Sequence, residues 1–456
     1  MPTPRLLCLR ALLVLASLPV ASILLPAAPQ RTDDRPNILF ILLDDLGKEW
    51  ISAYGAEGIS TPEVDRLAAT GTRFENFYVM PQCTPTRLSF LTGQYPFRHG
   101  WVNHWDVPRW GGGAHYDWNL NPSIARVMRQ AGYRTAVAGK WQVNDFRVQP
   151  DAMRELGFDD FCMWTGGQGE DPVSDQRYWD PFVHTRAGSA TRQGAFGDDV
   201  FVDFLVDFMR KHRHEPMFLY YPMCLPHEPF VATPSEPKVT SKLDRHRAMV
   251  RYADHLTGRL IQALEELGLR RDTIVIWTTD NGTTPSVTGI RNGRPVQGGK
   301  SSTRESGICV PFIVNCPGRV PAGKVSPALL TIADLLPTFA EIAHSRPQPQ
   351  FEYDGKPSAD ALLGQTDRSP HDWILAMGGR NEARLTQAGV ENAFVFRDRV
   401  LRNERFKLYV DTKRRPVEFF DLRSDPWEET NLIASQDPEV VAALASLSQP
   451  LSQFPD

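Results

Sequence analysis

The sequence predicts an α/β fold with a mostly parallel central sheet and a small α+β C-terminal subdomain. Three observations carry this. Residues 36–43 (PNILFILL) form an uninterrupted apolar run of strand length, as in strands buried on both faces. Further strand-length runs alternate with helix-length segments up to about residue 345. Beyond that point the texture changes to short strand-like pieces between charged turns.

The elements follow in order. Residues 1–10 carry Arg5 and Arg10 and no acid, residues 11–25 are apolar around Pro19, and PAAPQ follows. This is the order of a secretory signal peptide, assigned to 1–28 with cleavage within 22–30. The apolar run is short for a span of about 20 residues, so no stable membrane span remains after cleavage. No cysteine ends the run, which argues against a lipoprotein. A secreted or periplasmic protein is expected. Its net charge moves from −4 to −6 once Arg5 and Arg10 are lost.

A catalytic domain is expected over 35–344. The strand at 36–43 ends in Asp44-Asp45, and Thr61-Pro62 supply an N-cap and an N1 proline for a helix. Helical patterns at 123–131 and 198–213 lead to strands at 133–138 and 217–222. In 242–267, Met249, Tyr252, Leu256, Leu260, Leu264 and Leu267 make one apolar stripe, and strand 273–278 leads to Asp280-Asn281. Residues 345–456 are expected to form the C-terminal subdomain. It starts with a linker or long loop to about 370 and has strands at 373–377, 394–400, 406–410 and 417–421.

Composition narrows the function. With 41% hydrophobic and 23% charged residues, the chain is neither mostly disordered nor a multi-span membrane protein. A net charge of −4 argues against a nucleic-acid partner but leaves room for an anionic substrate held by local cations. Six cysteines in 456 residues are too few for a disulfide scaffold. Cys309 and Cys316 flank a strand-like VPFIVN, a separation that disfavours a direct bridge. With Cys162 and Cys224 they read as buried small hydrophobes, one disulfide remaining open.

Two strands thus end in acidic or amide pairs. In an open α/β sheet, sites form beyond the carboxyl ends of strands. If both strands share one parallel sheet, Asp44, Asp45, Asp280 and Asn281 converge, and such oxygen donors suit Ca²⁺ or Mg²⁺ rather than zinc. Taken singly, each pair reads as a turn after a strand, and only together do they point to a metal. The N-x-[ST] sequon at Asn281 would then be buried and unglycosylated. In CTPTRLSFLTG at 83–93, Arg87 lies four residues after Cys83 and could stabilise a thiolate. The phosphatase pattern needs six, so that mechanism does not fit.

C-x-P-x-R followed by L-T-G resembles the signature of the type I, formylglycine-dependent sulfatases of the alkaline-phosphatase-like superfamily. The resemblance extends over 36–432: PNILFILLDDLG, Gly139-Lys140-Trp141, Pro226-His227-Glu228-Pro229, DNG at 280–282, Gly299-Lys300, and EFFDLRSDPWEETNL at 418–432. It implies an alkaline-phosphatase-like sandwich and a secreted sulfuric ester hydrolase acting on a sulfated small molecule or glycan. It also implies Cys83 converted to formylglycine by a formylglycine-generating maturation enzyme. By the same resemblance Asp44, Asp45, Cys83, Asp280 and Asn281 hold Ca²⁺, with Mg²⁺ as the alternative. Cys83, Arg87, Lys140, His227 and Lys300 are catalytic, and Lys140, Gln142, His227 and Lys300 meet substrate. The chemistry explains the choice. A hydrated aldehyde offers one hydroxyl to attack sulfur and a second whose deprotonation expels sulfate, an exit that serine or unmodified cysteine lacks. Fixed cations face the sulfate oxygens, and His227 or Lys300 meets the leaving alkoxide.

One departure stands out. The family's G-K-W block is usually followed by histidine, and this chain has Gln142, which can hydrogen-bond but cannot take a proton near neutral pH. Three other functions compete. A phosphoester or phosphonate monoester hydrolase could share the nucleophile. A non-catalytic glycan-binding relative is supported by Gln142 and opposed by the intact Cys83. A phosphomutase-like transferase needs a second metal whose histidines are not evident. Among weaker signals, Trp101, Trp105, Trp110 and Trp118, with His99, His104 and His115, could stack on a sugar or simply pack. Arg177, Arg186, Arg192, Arg291 and Arg294 could bind extra anions or be solvated.

Overall fold

The computed structural model describes Met1, 35–103, 115–166, 176–378, 383–386, 389–392 and 397–454. Residues 2–34, which hold nearly all of the expected signal segment, and Trp105, Trp110 and His104 lie outside the described residues. In chain order the strands are β1 (Asn37–Leu43), β2 (Ala56–Glu57), β3 (Thr72–Tyr78), β4 (Arg134–Lys140), β5 (Asp160–Trp164), β6 (Phe182–Thr185), β7 (Gly188–Thr191), β8 (Met217–Pro222), β9 (Thr273–Thr279), β10 (Thr288–Arg291), β11 (Arg294–Gln297), β12 (Phe312–Asn315) and β13 (Lys324–Thr331). The smaller C-terminal strands are β14 (Ile374–Met377), β15 (Ala383–Thr386), β16 (Gly389–Asn392), β17 (Arg399–Arg402), β18 (Phe406–Val410) and β19 (Pro416–Asp421).

The large sheet has the order β13-β3-β12-β9-β1-β8-β4-β5-β6-β7. Its centre is parallel, from β9 through β1, β8 and β4 to β5. Strand β1 shows why an unbroken apolar run is needed. Ile38, Phe40 and Leu42 enter one core, Leu39, Ile41 and Leu43 the other, and all are buried. Helices Cys83–Thr92, Ile124–Gln130 and Leu335–Ile342 cover the first face, and Pro62–Ala69, Gly197–His212 and Lys242–Glu266 the second. In Lys242–Glu266 the predicted stripe is buried from Met249 to Leu264, with Leu267 partly buried beyond the helix end. β14, β17, β18 and β19 form a separate antiparallel sheet.

One expectation changes, and one open alternative closes. Pro62 does open its helix, but the Thr61 hydroxyl makes no cap. It bonds Ser52 Oγ at 2.9 Å and Asp65 Oδ1 at 3.3 Å, and so ties the preceding turn to the helix. The disulfide left open is absent among the described residues, where Cys162, Cys224, Cys309 and Cys316 are free and buried.

Candidate active site

Adjacent parallel pairing of β1 and β9 places Asp44-Asp45 beside Asp280-Asn281. The Asp45 N–H donates to Asp280 Oδ1 at 3.1 Å, and the Leu46 N–H donates to the Asn281 carbonyl at 3.1 Å. Asp45 has φ 65°, a left-handed conformation that a non-glycine residue adopts at a cost, common where function demands it. Gly282 is required here. A Cβ would lie 1.8 Å from the Ser306 carbonyl, so the strand end meets the loop after Lys300 backbone to backbone.

The helix Cys83–Thr92 brings Cys83 to the same point. Thr86 fixes its start, since its hydroxyl donates to the Met80 carbonyl and accepts from the Met80 N–H, both at 3.0 Å. Gly93, at φ 68°, ends it. Cys83 occupies the first turn and is fully buried, so the helix end directs partial positive charge at whatever faces it. One turn on, Arg87 donates from Nε and NH2 to Asp280 Oδ2 at 2.9 and 2.8 Å. Ligand atoms of Asp44, Cys83 and Asp280 lie within 4.8 Å of one another, and so do those of Asp44, Asp45 and His227.

Three cations close the site. Lys140 ends β4, and its Nζ donates to Asp44 Oδ2 at 2.6 Å. Gly139 before it has φ 128°, and a Cβ would lie 2.0 Å from the Pro222 carbonyl of β8, which explains the G-K pair. Lys300 Nζ donates to Asp45 Oδ2 at 2.7 Å and lies 3.1 Å from His227 Nε2. Arg177 NH2 lies 2.9 Å from His227 Nδ1, which also meets the Glu228 carbonyl at 2.5 Å. Burial, and then Lys300, push the His227 pKa well down, so the imidazole is neutral. Burial would raise Asp44, but the charges of Lys140, Arg87 and Lys300 hold it well below the usual carboxylate range. Burial with Asp44 alongside pushes Asp280 well up despite Arg87.

These residues fit a hard cation. Asp44 Oδ1 and Asn281 Oδ1 are buried with no hydrogen-bond partner. The donor set is otherwise carboxylate, and a divalent ion would relieve the repulsion between Asp44 and Asp280. The acidic cluster can therefore hold a metal ion.

The Sulfatase family model matches residues 36–345. The chain belongs to the sulfatase family. The N-acetylgalactosamine-6-sulfatase of Canis lupus familiaris is 32% identical over 79% of this chain and 71% of its own length. Arylsulfatase A of Bos taurus is 30% identical over 92% of this chain and 88% of its own. Among solved structures, Ps i-CgsB aligns with a TM-score of 0.75 and 25% identity over 91% of this chain and 93% of its own. Another structure of Ps i-CgsB is in complex with k-i-k-neocarrahexaose. This sulfatase is thus a sulfuric ester hydrolase of α/β fold, with a large central sheet and a small antiparallel C-terminal sheet.

The structure brings together Asp44, Asp45, Cys83, Arg87, Lys140, His227, Asp280, Asn281 and Lys300. Gln142, two residues past β4, is buried against Gly166. Asn281 is fully buried, which closes its sequon to a glycan. Trp101 is buried in the first core and Trp118 packs against it, so the packing reading holds for both. His99 is buried, its Nε2 3.2 Å from Ser89 Oγ, and burial pushes its pKa down to about 3. Of the loop arginines, only Arg177 meets a predicted site residue through a described contact. Arg291 and Arg294 stack on Trp427 instead, at 5.8 and 5.4 Å.

Sequence reasoning misses Asp198, because helix-start acids are common and nothing marks this one. Its Oδ1 accepts from the Cys224 N–H and the Tyr221 hydroxyl, both at 3.1 Å, and so anchors the turn leading to His227. Burial lifts its pKa from 3.8 to about 7. The folded chain then keeps a proton that the unfolded chain releases, so this contribution to stability is lost as pH rises from about 4 to about 7. Asp198→Asn is expected to flatten that part of the stability–pH curve, measured by urea unfolding at pH 5 and pH 8. An unchanged slope would contradict it.

Proposed function

We propose that this sulfatase is an exported enzyme that removes sulfate from a sulfated carbohydrate, using formylglycine at position 83 and Ca²⁺. The convergence of Cys83, Arg87, Lys140 and Lys300 on the Asp44–Asp45–Asp280–Asn281 cluster is the observation that carries this reading. Asp44, Asp45, Asp280 and Asn281 would hold the ion, which when bound acidifies the nucleophile and neutralises sulfate oxygens. The formyl group, hydrated, supplies the attacking hydroxyl and the second hydroxyl that lets sulfate leave. Arg87, aligned by Asp280, and Lys140 face the sulfate oxygens. As the S–O bond to the sugar breaks, its electron pair goes to the leaving oxygen, and Lys300 supplies the proton, its ammonium held beside the neutral His227 imidazole.

Carbohydrate as the leaving group is supported by the relatives' names and by a cavity of about 460 Å³. That cavity starts one residue past Lys300, at Ser301, and its lining, mostly polar with Arg304, Tyr409 and Asp411 beside Val410 and Val417, offers partners to sugar hydroxyls. Export is supported by the N-terminal charge and hydropathy order. No helix among the described residues is long and apolar enough to cross a membrane. We assign 1–28 to the signal peptide, 35–344 to the catalytic domain and 345–456 to the subdomain. The test is a panel of sulfated monosaccharides and matched aryl sulfates and phosphates, assayed on protein co-expressed with a formylglycine-generating enzyme. Sulfate release from a sugar is expected. A clear preference for the phosphate esters would contradict the reading. Gln142→His is expected to alter the pH–rate profile, whereas an unchanged profile would place residue 142 outside the proton path.

A further inference from the structure

The loop that presents Lys300 is gripped from the C-terminal sheet at three consecutive residues. The Thr303 carbonyl accepts from the Tyr409 hydroxyl at 3.2 Å. Arg304 pairs with Glu418 and stacks 4.5 Å over the Tyr409 ring. Glu305 receives Lys407 Nζ on Oε1 at 2.9 Å and the Tyr78 hydroxyl on Oε2 at 2.7 Å. Lys407 is fully buried, and its ammonium also meets Glu428 Oε1 at 2.9 Å. The other Glu428 oxygen accepts the Glu305 N–H at 2.9 Å. Glu428 itself has φ 58°, a left-handed turn that an L side chain rarely takes.

Mere adhesion between two layers does not require this. Apolar contacts do the same without desolvating an ammonium and two carboxylates. What the charges add is a fixed position for Glu305, and the loop transmits it. The Ser302 N–H donates to Gly299 O at 2.9 Å and the Gly307 N–H to Arg304 O at 2.8 Å. Gly299 lies so close that a Cβ would be 2.4 Å from Ser306. Segment 299–307 is folded on itself, so holding Glu305 holds Lys300.

We propose that Lys407 and Glu428 are positioning residues that set the Lys300 ammonium where the leaving oxygen departs. The inference rests on the role given to Lys300 above. Lys300 Nζ passes a proton to the departing oxygen as the S–O bond breaks, and the resulting amine regains one from water. A misplaced donor penalises poor leaving groups, which need the proton, far more than 4-nitrophenolate, which does not.

The experiment measures kcat/KM for 4-nitrophenyl, phenyl and 4-methoxyphenyl sulfate and a sulfated monosaccharide, on matured parent, Lys300→Ala, Lys407→Met and Glu428→Gln proteins. Lys300→Ala is expected to slow the 4-methoxyphenyl ester at least ~10-fold more than the 4-nitrophenyl ester. Glu428→Gln and Lys407→Met should steepen the leaving-group dependence in the same direction. Glu428→Gln keeps size and one of the two acceptor oxygens, so it reports even if Lys407→Met does not fold. A uniform loss across the esters, or an unchanged dependence, overturns the proposal. A flat profile for Lys300→Ala overturns the role of Lys300 and the inference with it. No turnover of any of these esters by the parent contradicts the proposed function itself.

Discussion

Cys83→Ser protein is expected to lose about 10⁴-fold or more in steady-state turnover while keeping the parent's melting temperature. Cys83 is fully buried in the first turn of its helix, and serine fits that space. Its hydroxyl can still be activated and attack sulfur, since Arg87, Lys140 and the acidic cluster are untouched. It cannot then expel sulfate, because no second hydroxyl on the same carbon can collapse to a carbonyl. The variant should therefore release about one equivalent of alcohol per chain and retain the sulfate. Intact mass and burst stoichiometry read both. Turnover within tenfold of the parent would contradict this account.

Asp280→Ala should be as severe, for a different reason. Asp280 accepts two bonds from Arg87 and one from the Asp45 N–H, and it faces the proposed cation. Without it, Arg87 is a buried guanidinium whose remaining described ion pair is with Asp44, at 3.8 Å. Breaking a buried pair in this way costs about 3–5 kcal/mol of stability. The ligand set also loses a carboxylate. Ca²⁺ at 100 times its dissociation constant should stabilise the parent by about 2.7 kcal/mol, and chelator should remove that gain. The Asp280→Ala protein should show neither the calcium-dependent shift nor activity. An equal calcium shift in both proteins would place the ion elsewhere.

Much of this is legible in the chain. The PNILFILL run identifies a strand buried on both faces, and the acids that end two such strands, read together with the C-x-P-x-R stretch, point to the candidate site. The glycines of Gly139-Lys140 and Asn281-Gly282 have physical reasons in backbone contacts that leave no room for a Cβ. What stays hidden depends on long-range packing. Arg177 is one of five equivalent loop arginines until folding sets it against His227. Asp198 looks like an ordinary helix-start acid. Lys407 sits in an alternating strand, where a lysine reads as solvent-facing. Only the apposition of the small sheet to the Lys300 loop buries it between Glu305 and Glu428. The DPWEETNL segment enters the sequence reading only through the family resemblance, whereas its Glu428 reaches into that loop.

The whole scheme turns on the chemical state of residue 83. The direct measurement is mass spectrometry of tryptic peptide 74–87, prepared from active protein produced in its own host. An aldehyde at position 83, trapped by a hydrazide reagent, is the predicted result. Fully active enzyme carrying only the unmodified thiol would contradict it.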